Sequence, residues 1–289
     1  MKQLLILSGK GGTGKTTIAG AFIKLSRVKA YADCDVDAPN LHLIIKKTAD
    51  VIKTDYFGMP KAVIDPDLCR NCGVCKSNCR FDSILSSHGY TIDQNLCEGC
   101  GVCVELCPTR AISLVPYKAG ELLLYQNNDG SIFSTATLKM GSGTTGKLVT
   151  EVKKKLISSA GKADLLIIDG SPGIGCPVIA SLSGVDMVLI VAEPTLSGMS
   201  DMERILETAY KFKVKTAVCI NKYNINIKNA ESIIAYCQKN HIPYVGKIPF
   251  DKRAVEAMNS GLTIVDVQCN AGDALQPVYA KTMAQLYGN

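Results

Sequence analysis

Gly9-Lys10-Gly11-Gly12-Thr13-Gly14-Lys15-Thr16 decides the fold, because it stands between a short apolar run, Leu4 to Leu7, and a helical pattern, Thr16 to Leu25. Glycines let successive backbone N–H groups converge on an anion with no Cβ in the way. A helix that begins directly after them turns its positive end toward the same anion. Lys15 would neutralise the β- and γ-phosphates of a nucleotide, and the Thr16 hydroxyl can ligate Mg²⁺. Gly9, Gly11, Gly12, Thr13, Gly14, Lys15, Thr16 and Thr17 are the candidate nucleotide-binding residues. A chance glycine-rich turn is the alternative, and the strand before and helix after argue against it.

Outward from this loop the chain alternates. Val28 to Asp33, Leu165 to Ile168, Met187 to Val191 and Ala217 to Ile220 are short apolar runs that read as buried strands. Helical patterns surround Met202 to Phe212, Ala230 to Lys239, Arg253 to Asn259 and Ala274 to Leu286. Continuous apolar strands alternating with helices predict an α/β fold, a mostly parallel sheet covered by helices on both faces. Leu122 to Thr137 predicts a hairpin turning at Asn127-Asn128-Asp129-Gly130. Gly141 to Lys147 also spells a phosphate-loop spacing, but Leu148 stands where a hydroxyl would bind Mg²⁺. A loop capping a helix from Thr145 onward is expected there instead. Lys153 to Lys155 is expected on the solvated face of that helix.

The middle of the chain is duplicated. Shifting it by 28 residues superimposes Val63 to Ile84 on Thr91 to Ile112 with ten identities in 22 positions, including every cysteine. Cys69-x₂-Cys72-x₂-Cys75-x₃-Cys79 and Cys97-x₂-Cys100-x₂-Cys103-x₃-Cys107-Pro108 both match the bacterial ferredoxin run. That resemblance implies two [4Fe–4S] clusters with interleaved ligands: Cys69, Cys72, Cys75 and Cys107 on one, Cys97, Cys100, Cys103 and Cys79 on the other. Zinc is the alternative for C-x₂-C pairs, and four cysteines per repeat in a duplicated frame argue against it. Arg80 departs from the run, since proline usually follows the fourth cysteine. The expected organisation is a P-loop domain in two segments, 1–59 and 119–289, around an inserted ferredoxin-like α+β domain at 60–118.

Composition narrows the classes. With 289 residues, 47% apolar and 20% charged, the chain can bury a sizeable core. Four apolar residues running straight into Gly9 are too few for a signal peptide, and no run approaches a spanning helix. Thirteen cysteines in such a chain point to thiolate ligation in a reducing, cytoplasmic compartment, not to disulfides. The formal charge of +6 is no footprint for nucleic acid, because Lys61 to Lys118 holds six basic and six acidic residues. Two oxidised clusters, each site near −2, would lower the total to about +2. Cys34, Cys219, Cys237 and Cys269 are expected as small buried apolar side chains. His42, His88 and His241 fall in no ligand spacing.

The extra lysine, Lys10, in the pattern K-G-G-x-G-K-T-T, resembles the deviant Walker A loop of the MinD, ParA, Mrp and nitrogenase-iron-protein superfamily. The resemblance implies an Mg²⁺-dependent ATPase, binding ATP and ADP and expected to be slow without a partner. It also implies a nucleotide-dependent homodimer, or a heterodimer with a related ATPase, in which Lys10 acts in trans like an arginine finger. Asp33-Cys34-Asp35 resembles switch I, which gives Asp35 the attacking water. Leu165 to Gly173 resembles switch II, with Asp169 holding Mg²⁺ through water and Gly173 sensing the γ-phosphate. Asn221 resembles the adenine-reading position, and Ile248-Pro249-Phe250-Asp251 the segment over the ring. That gives Pro249 and Asp251 to the base; a strand-end turn and a helix N-cap at Asp251 are the alternatives.

Cys176, seven residues after Asp169, resembles the iron protein's bridging cysteine, but Arg110 to Asp169 holds no second one. MinD's basic amphipathic tail has no counterpart in Leu286-Tyr287-Gly288-Asn289, so no membrane role is expected. Two function classes follow. One is an ATP-driven redox protein with an unidentified redox protein or metallocofactor protein as partner. The other is an iron–sulfur or metallocofactor carrier whose clusters are cargo or structural.

Overall fold

The computed structural model describes residues 1–45, 49–139 and 141–288. The first elements are β1 (Lys2–Leu7), α1 (Lys15–Ser26), β2 (Ala30–Asp33), β3 (Ala49–Phe57), β4 (Lys61–Ile64), α2 (Val74–Ser77), β5 (Ile84–Leu85) and β6 (Thr91–Ile92). There follow α3 (Val102–Glu105), β7 (Ile112–Val115), β8 (Lys118–Asn127), β9 (Ile132–Leu138), α4 (Thr145–Ser159), β10 (Leu165–Asp169), α5 (Cys176–Leu182) and β11 (Met187–Ala192). The chain closes with α6 (Leu196–Lys211), β12 (Lys215–Asn221), α7 (Ile227–Lys239), β13 (Tyr244–Ile248), α8 (Lys252–Asn259) and α9 (Asn270–Tyr287). Asn289, the end of the tail considered above, lies outside the described residues.

These elements form two compact units, one of residues 1–53, 123–136 and 145–289, the other of residues 54–122 and 137–144. The smaller unit therefore reaches beyond 60–118 and takes in the strand ends on either side and the 137–144 segment.

In the larger unit, parallel strands run in the order β13-β12-β11-β1-β10-β2-β9. Side chains alternate across a sheet, so a strand covered on one face buries every second residue. Here both alternates are buried: Leu4 and Ile6, and equally Leu5 and Leu7, are fully inaccessible. Leu4, Ile6, Ile167 and Leu189 share a core with Phe22 of α1 and Leu275 and Val278 of α9. The parallel sheet covered on both faces is thus what the apolar runs predict. The Asn127 to Gly130 turn joins β8 to β9, with the Gly130 N–H donating to the Asn127 carbonyl at 2.9 Å. Among the strands without a clear signal in sequence are β3, whose apolar residues are interrupted by Asp50 and by Lys53-Thr54-Asp55, and β13, Tyr-Val-Gly-Lys-Ile.

One expectation is overturned. Lys153 is not on a solvated face; it is buried, and its ammonium donates to the carbonyls of Ala180 (3.3 Å), Ser181 (2.6 Å) and Ser183 (2.5 Å). It thereby caps the C-terminus of α5, where unpaired carbonyls and the negative end of the helix dipole favour a cation. Burial pulls its pKa down to about 8. Lys154, its neighbour, is exposed as expected. Leu148 is buried, so the second phosphate-loop spacing contributes a core residue and no metal ligand.

The smaller unit repeats its sequence duplication in structure. β4, α2 and β5 of the first repeat correspond to β6, α3 and β7 of the second, with β4 pairing antiparallel to β7 and β5 to β6. Its core is small: Ala62, Ile84 and Ile112 packed with Cys75 and Cys97.

Candidate functional site

The glycine-rich loop lies at the C-terminal end of β1, the middle strand, where ligands bind in open parallel sheets. α1 starts at Lys15 after Gly14, whose φ of 89° only glycine adopts without strain. No side chain caps the helix, so its first N–H groups are free for an anion. A Cβ at Gly14 would lie 2.2 Å from Asn221 Nδ2, and one at Gly9 would lie 2.0 Å from Asp201 Cβ in α6. At Gly11 and Gly12 the same atom would enter open space.

Strand register brings the acidic residues together. Asp169 ends β10 beside Ile6 of β1 on one side and Asp33 of β2 on the other. Lys15 Nζ is 2.5 Å from Asp169 Oδ1, and the Thr16 hydroxyl donates to Asp169 Oδ2 at 2.7 Å. Asp33, fully buried, accepts from the N–H groups of Asp35 (3.0 Å), Asn40 (2.9 Å) and Leu41 (2.9 Å). Burial, and then the neighbouring Asp169 charge, raises its pKa to about 7. Asp35 is half-buried; desolvation raises its pKa against the pull of Lys15. Gly173, at φ 96°, donates its N–H to the Ser8 carbonyl at 3.0 Å, tying the segment after β10 to the start of the loop.

Lys10 folds onto its own chain. Its ammonium lies 2.9 Å from Glu193 Oε2, 3.3 Å from Thr195 Oγ1 and 3.4 Å from Ser197 Oγ. Glu193 also takes Lys222 Nζ at 3.2 Å, and Lys222 donates to the Gly12 carbonyl at 2.7 Å. Burial pushes the Glu193 carboxyl up, but hydrogen bonds from Lys10 and Lys222 outweigh this and leave it below the usual value. None of these three partners of Lys10 is legible in the sequence. Glu193-Pro194 at the end of an apolar strand is the only hint, since strand C-termini of such sheets gather ligand groups.

An open cleft adjoins the loop, lined by Gly14, Thr17, Asn221, Pro249, Phe250 and Asp251 among others. Sequence-distant candidates for the base thus converge. Their polar groups are already engaged. Asn221 Nδ2 donates to the Thr13 carbonyl at 2.7 Å, and its Oδ1 accepts from Lys222 N at 3.0 Å. Asp251 is the N-cap of α8, accepting from Arg253 N at 3.0 Å and from Asn270 N at 2.9 Å. The backbone hydrogen bond from Arg253 leads those that hold its carboxyl below the ordinary carboxylate range.

In the smaller unit the eight motif cysteines sort into two groups of four. Cys69, Cys72, Cys75 and Cys107 line one cavity, and Cys79, Cys97, Cys100 and Cys103 line another. Each group takes three thiols from one repeat and one from the other. Cys75 is the second residue of the short helix α2 and Cys103 the second of α3, each two residues after a glycine at positive φ, Gly73 (78°) or Gly101 (81°). Cys107 Sγ accepts from Ala111 N at 3.3 Å, and Cys79 Sγ lies 3.3 Å from Ser83 Oγ. Burial leads among the causes acting on both thiols, yet hydrogen bonds from Thr109 and Ser83 leave them more acidic than an ordinary cysteine.

Burial followed by the charge of neighbouring cysteines raises Cys75 and Cys103. All thirteen cysteines are free. Among the described residues no three His, Cys, Asp or Glu side chains converge as a single ion requires; the thiols surround cavities instead. Cys34, Cys219, Cys237 and Cys269 are buried as expected, and Cys176 is exposed at the start of α5. No helix among the described residues is long and apolar enough to cross a membrane.

Comparison with known proteins agrees with this geometry. The model of the CobQ/CobB/MinD/ParA nucleotide binding domain matches residues 4–264. An uncharacterized protein of Methanocaldococcus jannaschii is 32% identical over 96% of this chain and 95% of its own length. An iron-sulfur cluster carrier protein of Pyrococcus horikoshii is 24% identical over 91% of this chain and 79% of its own. Among solved structures, the septum site-determining protein MinD of Pyrococcus horikoshii, complexed with Mg-ADP, matches at a TM-score of 0.57 and 16% identity, covering 97% of this chain and 95% of that one. With a phosphate-binding loop at the end of its middle strand and a family model spanning nearly all of it, this chain belongs to the CobQ/CobB/MinD/ParA nucleotide-binding family and is a P-loop ATPase.

Proposed function

We propose that this ATPase couples nucleotide-driven switching of a dimer to electron transfer through two [4Fe–4S] clusters. The carrying observation is the sorting of eight cysteines into two four-thiol cavities, each completed by one thiol from the other repeat. A duplicated C-x₂-C-x₂-C-x₃-C frame whose thiols line each cavity three from one repeat and one from the other fits the ligation of a [4Fe–4S] cluster. Cys69, Cys72, Cys75 and Cys107 would hold one cluster, and Cys97, Cys100, Cys103 and Cys79 the other. The chemistry such groups supply is one-electron storage and transfer.

At the nucleotide, Gly9 to Thr17 would wrap the phosphates and Thr16 would ligate Mg²⁺, with Asp169 holding the ion through water. Lys15 would leave Asp169 for the β- and γ-phosphates once those enter. Asp35 would orient the attacking water. The Gly173 N–H, now on Ser8, would turn to the γ-phosphate, which makes that bond a switch. Lys10 would leave Glu193 and act on the partner protomer's phosphates, and Asn221, Pro249 and Asp251 would wall the base. The homodimer, the related heterodimer and the cytoplasmic location belong to this proposal.

A second reading has its own support. Relatives from three Pyrococcus species are named iron-sulfur cluster carrier proteins. Under it the clusters would be cargo. One experiment separates the two: the anaerobically purified protein is reduced and its clusters followed by electron paramagnetic resonance, alone, with ATP and with a non-hydrolysable analogue. Coupled redox function predicts nucleotide-dependent potentials or transfer rates. Nucleotide-independent values, together with transfer of iron and sulfide to an apo acceptor, would establish the carrier.

A further inference from the structure

The two four-cysteine cavities are related by the 28-residue repeat, yet one buried charge breaks the relationship. Lys61 is 2% exposed. Its ammonium donates to the backbone carbonyl of Cys97 and lies 5.3 Å from the centroid of the Tyr117 ring. Cys97 is itself buried and lines the cavity with Cys79, Cys100 and Cys103. The position equivalent to Lys61 in the other half is Gly89, and the atom nearest to a Cβ built there is Asn71 Oδ1, a neutral group. Among the described residues no buried cation stands at the matching place beside Cys69.

Exposed charges near the cavities differ as well. Arg70 lines one and Glu98, its repeat equivalent, lines the other, a difference of opposite sense. Both are exposed, where water and salt screen them strongly, whereas a cation held inside the protein acts through a lower dielectric. Arg80, exposed and next to Cys79, adds positive charge on the Lys61 side, and exposed Asp82, whose charge acts on Cys79, offsets it.

We propose that Lys61 makes the group held by Cys79, Cys97, Cys100 and Cys103 the easier of the two to reduce, which gives the pair a direction. Reduction adds one negative charge to a site already negative, and a fixed cation beside it favours that addition. An electron delivered by a low-potential one-electron donor would pass from the Cys69 side to the Cys97 side, one group oxidised as the other is reduced, with no bond formed or broken. Lys61 is a positioning charge and no ligand. This inference rests on the cluster reading above.

The test uses the full-length protein purified anaerobically, assayed for iron and sulfide, and titrated with dithionite under electron paramagnetic resonance. Cys97→Ser and Cys69→Ser assign the two couples. Lys61→Met removes charge and hydrogen bond; Lys61→Gln removes the charge but keeps a donor for the Cys97 carbonyl; Lys61→Arg keeps the charge.

Met and Gln should both move only the couple altered by Cys97→Ser to more negative potential. The expected change is about tenfold in the electron-sharing equilibrium, which is 59 mV for a one-electron couple. Lys61→Arg should leave that couple near its original potential. Equal movement of both couples, no movement, or movement of the Cys69-assigned couple overturns the role of Lys61 alone. Protein that holds no iron and sulfide overturns the cluster reading and the Lys61 role together.

Discussion

Lys15 Nζ and Asp169 Oδ1 lie 2.5 Å apart, and the two side chains are 6% and 0% exposed. An ion pair so buried is expensive to break from one side, because the remaining charge keeps its desolvation cost without its partner. Lys15→Met should abolish ATP hydrolysis and also lower the stability of the nucleotide-free protein by about 3–5 kcal/mol. Lys15→Met combined with Asp169→Asn should restore most of that stability and none of the activity. Urea denaturation of the three proteins gives the answer; equal stability of the single variant and wild type would show that the pair does not hold the site together.

Asp33 makes stability depend on pH. Its folded pKa, raised to about 7 by burial and then by Asp169, lies above that of an unfolded aspartate. The folded state therefore binds the proton more tightly. This contribution is fully present below the unfolded pKa and is lost as pH rises through about 7. Nucleotide-free protein should lose stability between pH 5 and pH 8, and Asp33→Asn should flatten that slope, as read from denaturation midpoints at each pH.

Lys153 serves three carbonyls at the end of α5. Lys153→Met keeps the aliphatic stem but leaves those acceptors without their donor. A loss of about 1–3 kcal/mol is expected. Hydrogen exchange should locate the change at residues 176–183; a neutral substitution would mean that water serves these carbonyls instead.

Interleaving makes a pattern that a simple repeat does not. Cys79→Ser should damage the same spectroscopic signal as Cys97→Ser, and Cys107→Ser the same one as Cys69→Ser, because those thiols share cavities. Iron content should fall by about half in each case. Pairing of Cys79 with Cys69 in the spectra would contradict the interleaved assignment.

Much of this architecture can be read from residue order because its signals are local. Leu4 to Leu7, Leu165 to Ile168 and Met187 to Val191 are apolar throughout, so they announce strands buried on both faces. The loop between Gly9 and Thr16 announces its anion site through glycine and helix dipole alone. Charge readings fared worse. Residue order presents Lys153 as one member of a lysine-rich helix face and does not say which of Lys153, Lys154 and Lys155 turns inward toward the carbonyls of α5. Strand β3 mixes apolar residues with charged ones out of period and β13 is broken by glycine, so alternation does not announce them.

Residue order by itself determined the family of the chain, the phosphate loop and the duplicated cysteine frame, since each is a matter of spacing within one segment. Only the tertiary structure decided what meets across segments. Parallel register set Asp33 beside Asp169 and raised its pKa; Lys10 and Lys222 converged on Glu193; Asn221 closed over the Thr13 carbonyl. The same holds for Lys61 against Cys97. Burial and Coulomb terms depend on distance in space, and residues about thirty to two hundred positions apart carry no record of that distance in their order.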